Sequence, residues 1–259
     1  MMNRNIVIKI AAVVAYVAMV AVNAAANILP INNITTGAVS DSYPNLFAPA
    51  GITFSIWGLI YLLLGAYSVF QFVTKKDSKT QHFIETVSIY FILTSLINAV
   101  WIFAWHYRII WLTVVLMLSL LICLIKIADV IQKEKLTKQE KWLIKVPFGV
   151  YFGWITIATI ANITAFLVSI GWNGFELPDS TWMIIILIVG FVICSLTMLR
   201  YNNVAYGLVP VWAYGGILLK HTSPTGFNNA YPYVIITTSS LLVVLLLVNG
   251  YLLLKKRAL

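Results

Sequence analysis

Apolar residues along this chain do not alternate with polar ones. They run on for whole stretches, broken by short clusters of charge or of Asn, Pro and Gly. The hydrocarbon core of a bilayer, about 30 Å thick, calls for about 20 apolar residues per helix. Runs of about that length cover residues 6–28, 52–73, 84–105, 109–131, 143–169, 182–199, 203–219 and 233–254. They are too long and too evenly apolar to be barrel strands. The pattern therefore predicts an all-α integral membrane protein with about eight transmembrane helices. Only Arg200 to Asn203 separates the sixth run from the seventh. The connection Trp105 to Arg108 is short enough to make spans three and four a tight antiparallel hairpin. The long exception, 29–51, is rich in Asn, Thr, Ser and Pro and reads as an ordered or partly ordered loop rather than a helix.

Composition agrees with this pattern: of 259 residues, 61% are hydrophobic and 10% charged, far from the balance of a soluble domain. The net charge of +9 raises the possibility of nucleic acid as a partner, and the placement of the charges dismisses it. With the amino terminus inside, Arg108 and Lys220 are the only two of the 17 Lys and Arg residues that fall outside. That bias predicts a multi-pass protein of the cell membrane with both termini cytoplasmic and its basic segments against the lipid bilayer surface. The stretch VNAAAN at the end of the first run resembles a secretory cleavage site, but the run Ile6 to Val22 exceeds a usual signal core. Cys123 and Cys194 lie inside spans without ligand-like spacing and read as small buried residues.

Three stretches carry candidate chemistry. In FAPAGITFSIWGLIY, Pro49 and Gly51 suit the passage from loop to helix, and Phe54, Trp57, Tyr61 and Gly65 then share one face, with Gly58 and Ala66 beside it allowing close approach of another helix. In INAVW, Asn98 and Trp101 lie three apart, and a primary amide in hydrocarbon needs hydrogen-bond partners. In GWITIATIAN, Trp154, Ala158 and Asn162 recur every four residues. The bland account of all three is helix packing, interhelical hydrogen bonds and an aromatic belt. His106 and His221 fall near outer span ends, and Glu176 and Asp179 read with Trp172 as a solvated connection. No positioned acid, base, nucleophile or metal cluster falls inside a span, so the reading leans away from an enzyme.

Taken together, these stretches resemble the TspO/MBR family, the tryptophan-rich sensory proteins related to the translocator protein. Pro49, Phe54, Trp57, Tyr61, Gly65 and Ala66 match its second span, Asn98 and Trp101 its third, and Pro147, Trp154, Ala158, Thr159 and Asn162 its fifth. The likeness covers roughly residues 6–169. Departures are the single proline at Pro49-Ala50, the lack of a Trp shortly after it, a longer gap from Pro147 to Trp154, and three additional spans. The chain thus divides into a TspO-like five-helix bundle, 1–169, and three further transmembrane helices, 170–259.

The resemblance implies a hydrophobic pocket between spans, covered by the outer loop and used for flat apolar ligands such as porphyrins, haem precursors or sterols. The ligand-binding residues it implies are Pro49, Phe54, Trp57, Tyr61, Asn98, Trp101, Trp154, Ala158 and Asn162. It implies a sensory or regulatory role, no required cofactor, a porphyrin or haem-type molecule as ligand, and no catalytic or metal residue. Some members are described as promoting light-dependent tetrapyrrole breakdown, which leaves catalysis open. The alternative is an uncoupled or secondary transporter of a small hydrophobic molecule: the extra spans argue for it, and the lack of a charged residue in mid-span argues against coupling. Small residues in YGLVPVWAYGG suit a lid, a partner surface or a homodimer contact.

Overall fold

The computed structural model describes residues 4–73 and 77–255, and among these every regular element is helical. The elements are α1 (Arg4–Ile28), α2 (Thr36–Asp41), α3 (Ile56–Phe70), α4 (Ser78–His106), α5 (Ile110–Gln132), α6 (Lys138–Glu140), α7 (Val146–Ser169), α8 (Asp179–Tyr201), α9 (Val204–Thr222) and α10 (Pro232–Leu254). Among the described residues, seven helical stretches are long and apolar enough to cross a membrane: Arg4–Ile28, Gly51–Phe70, Lys79–His106, Ile110–Gln132, Lys138–Ser169, Asp179–Tyr201 and Pro232–Leu254. Their outward side chains, among them Leu62, Val69, Trp111, Ile122, Leu196 and Leu247, are large, apolar and exposed. A continuous apolar exterior of this extent fits hydrocarbon rather than water. The chain is a multi-pass membrane protein.

The seventh expected span, 203–219, forms as α9 but is not among these seven stretches. Gly207, Pro210, Gly215 and Gly216 thin out its side chains, and Lys220 and His221 close it. It tolerates this because it is sheltered, packing on α7, α10 and the turn Gly51–Ser55. Pro210 has no N–H to give to the Tyr206 carbonyl, and that oxygen faces Gly153 of α7, where a Cβ would come within 2.8 Å. The narrow break before α9 is real: Asn202 turns left-handed at φ 45°, and Asn203 caps the new helix by accepting from the Tyr206 N–H at 3.1 Å.

The long helices pack in a definite order. α1, α4, α5, α7 and α3 form a ring in which each touches the next and α3 closes back on α1. On the outer side of α7, α9 packs against it, α10 against α9, and α8 against α10, α9 and α7. α7 is thus shared between the ring and the three later helices. It is buried without interruption from Pro147 to Ile157. It continues from α6 through a π turn, Lys141–Lys145, just ahead of Pro147, where the proline removes a helical donor and the wider turn absorbs the mismatch.

Two ends of the bundle follow from this topology. The loop end gathers 29–50, 107–109, 170–178 and 223–231. The terminus end carries both chain ends and the ion pairs Arg4–Glu85 (2.8 Å), Lys79–Glu134 (3.0 Å) and Arg200–Asp129 (3.4 Å). Lys75, Lys76, Lys256 and Arg257, part of the charge bias, lie outside the described residues. The first loop is more helical than its composition predicts, since Thr35 caps α2 by accepting from the Ala38 N–H. The hairpin after α4 is as tight as expected, with Arg108 left-handed at φ 57° and the Ile109 N–H donating to the Ala104 carbonyl.

Candidate functional site

The α3 aromatics face α7. Trp57 and Tyr61, one turn apart, stack with ring centroids 5.5 Å apart and planes 22° from parallel. Trp57 meets Trp154 edge-on at 6.2 Å and Tyr151 at 6.1 Å, while Phe54 meets Trp154 at 5.9 Å. Contacts of this geometry are each worth about 0.5–1.5 kcal/mol beyond simple burial. Gly65 lets α1 approach α3: a Cβ there would lie 2.8 Å from the Tyr16 hydroxyl, which donates to the Tyr61 carbonyl at 2.8 Å. Gly58 does not serve the close approach expected of it, because a Cβ there would meet nothing within 4 Å.

From α4, Ser95, Asn98 and Trp101 follow at intervals of three. Asn98 is buried, and its Oδ1 accepts from Asn23 Nδ2 of α1 at 2.7 Å, so part of its amide does join two helices. The Tyr151 hydroxyl lies beside Asn98 without reaching hydrogen-bond geometry. Trp101 is buried, but its ring partner is Trp105, stacked at 5.3 Å, rather than Trp57 or Trp154. Ala158 and Asn162 lie one and two turns beyond Trp154 on α7. Pro49 lies two residues before the turn Gly51–Ser55 that leads into α3. The residue after it, Ala50, donates to the Gly216 carbonyl of α9 at 3.0 Å, and Trp212 Nε1 donates to the Thr53 carbonyl at 2.9 Å. The entry to α3 is therefore held by α9.

Seven buried polar atoms on these three ring helices have no hydrogen-bond partner: Tyr61 Oη, Ser95 Oγ, Trp101 Nε1, Tyr151 Oη, Trp154 Nε1, and Asn162 Nδ2 and Oδ1. Leaving such a group unpaired costs about 1–3 kcal/mol. Five of the atoms belong to residues singled out from sequence. Tyr151 was missed, although it lies three residues before Trp154 and therefore on nearly the same face.

The loop end closes over the bundle through two histidines whose position near span ends does not reveal their role. His106 is fully buried: its Nδ1 pairs with the Ile102 carbonyl at 2.7 Å, while its own carbonyl accepts from Asn32 Nδ2 at 3.0 Å. Trp105 Nε1 donates to the Thr36 carbonyl at 3.1 Å. His221, also buried, meets the Leu46 carbonyl through Nε2 at 2.9 Å. Both helix ends thus hold the first loop. Among the described residues no group of three or more His, Cys, Asp or Glu side chains is placed to hold a metal ion.

A family profile described as TSPO-like protein matches residues 9–251. The match runs through all eight long helices and past Ser169. No curated protein and no solved structure matches the chain.

Proposed function

The chain belongs to the TSPO-like family, and from that premise we propose that it holds a small, flat, hydrophobic molecule, tetrapyrrole- or sterol-like, among α3, α4 and α7 in a sensory or regulatory role. The observation that carries this reading is the set of unpartnered polar atoms on Tyr61, Ser95, Trp101, Tyr151, Trp154 and Asn162, beside the Trp57–Tyr61 stack. Ring faces suit a flat apolar body, and a few unanswered donors and acceptors suit the polar groups that orient it. The first loop is held at the ends of two helices by His106 and His221. The accompanying orientation, with both termini cytoplasmic in the cell membrane, rests on the placement of Lys and Arg.

Quenching of intrinsic Trp fluorescence by protoporphyrin tests the proposal. Saturable quenching is expected in the wild type and a loss of at least about tenfold in affinity in Trp57→Ala, Asn162→Ala, in line with losing an aromatic contact and an oriented polar one. Unchanged saturable quenching in that double variant would discard the site.

A further inference from the structure

A cavity of about 500 Å³ opens at the loop end between the first loop, the end of α7, the start of α8 and the end of α9. Its α7 wall is Thr164, Leu167 and Val168. At 3.6 residues per turn these lie roughly 130° around the helix from the Trp154, Ala158 and Asn162 face. The cavity therefore lies on the side of α7 that faces the C-terminal helices, outside the ring interior. Its volume is that of a small-molecule site.

Tyr43, Trp172, Trp182, Phe227 and Tyr231 line it, each half-buried. Their positions are set in advance. Trp172 meets Trp182 edge-on at 4.8 Å, and Trp182 Nε1 donates to the Gly174 carbonyl. Phe227 and Tyr231 flank the buried His221 at 4.7 and 5.8 Å.

The amides in the lining are already engaged. Asn45 Oδ1 accepts from the N–H groups of Phe47 and Ala48, and Asn173 Oδ1 accepts from that of Phe175. The charges are not: Asp41, Asp179 and Lys220 line the cavity, and none forms an ion pair among the described residues. Two carboxylates against one ammonium leave one negative charge, and the faces of indole and phenol rings also attract cations. We infer that this cavity is a second ligand site, separate from the ring interior, and that it takes a monovalent organic cation. The cation's ammonium group would sit against Asp41 and Asp179, and its apolar body between the rings.

The test uses the full chain in nanodiscs of zwitterionic lipid, titrated calorimetrically with 2-(1-naphthyl)ethylamine, with the neutral 2-(1-naphthyl)ethanol, and with the anionic 1-naphthylacetate. Saturable binding is expected for the amine in preference to the other two. Asp41→Asn with Asp179→Asn should weaken it by about tenfold, Lys220→Met should leave it equal or tighter, and Trp154→Phe should leave it unchanged. Both Asn substitutions fall on exposed side chains, so an unaltered thermal midpoint and unaltered protoporphyrin quenching would show that the fold and the ring interior are intact. Equal binding of amine and alcohol, preference for the anion with loss in Lys220→Met, sensitivity to Trp154→Phe, or no saturable binding would each overturn the inference. Because the ring interior is read out separately, failure here and failure of the proposed ring site give different results.

Discussion

Asn162 carries an amide whose two polar atoms both go unanswered inside the bundle. If that cost is borne for a ligand, Asn162→Leu, which removes the polar atoms at similar volume, should stabilise the ligand-free protein by about 1 kcal/mol. A thermal midpoint raised by roughly 2–4 °C, together with weaker protoporphyrin quenching, is the expected pair of results. A lowered midpoint would instead show the amide engaged in holding helices together. A second residue-scale prediction concerns Gly216, where a Cβ would lie 2.0 Å from Thr53 Oγ1 and 2.8 Å from its Cγ2. Gly216→Ala should cost about 1–3 kcal/mol in thermal unfolding, and Thr53→Ala should recover part of it. Regular spacing sets a face within one helix, so the shared face of Trp57 and Tyr61 was legible in the sequence. The expected interhelical bond of Asn98 forms, but its partner was not legible, because Asn23 stands 75 residues away on α1. The burial of His106 and His221 was not legible for the same reason, since it depends on the return of a distant loop.

Among the elements, α9 forms where the pattern places it although its apolar signal is weak. Seven stretches announce themselves by unbroken apolarity, whereas α9 is diluted by glycine, proline and a basic end, and its apolar surroundings come from neighbouring helices. Hydropathy responds to contact with lipid, so a sheltered helix gives it a weaker signal. α9 meets the entry to α3 through Trp212 and Gly216. Trp212→Phe keeps the ring bulk and removes the donor to the Thr53 carbonyl, a loss of about 1 kcal/mol. Hydrogen exchange of the amides from Phe47 to Ser55 should then quicken while those of α5 keep their protection. Equal exchange in the wild type and in Trp212→Phe would mean that α9 does not hold this segment.

For the whole molecule, the eight long helices were legible in the apolar pattern. Which helix touches which was not, because a ring closed by α3 against α1 and α7 depends on contacts with no local sequence mark. α7 shows what this means for dividing the chain. A Cβ at Gly149 would lie 2.6 Å from Asn203, and one at Gly153 would lie 2.8 Å from the Tyr206 carbonyl, so the face turned to α9 is as closely fitted as the one turned to the ring. The fragment 1–169 expressed alone should fail to run as a single species in size-exclusion chromatography, and co-expression of 170–259 should restore it. A monodisperse, ligand-binding 1–169 would show that the ring folds independently. Because α7 stands between the two proposed sites, a guest that tilted it from either side would alter the shape offered on the other. Thermodynamic reciprocity then requires any such effect to run both ways, each occupant changing the affinity of the other by the same factor.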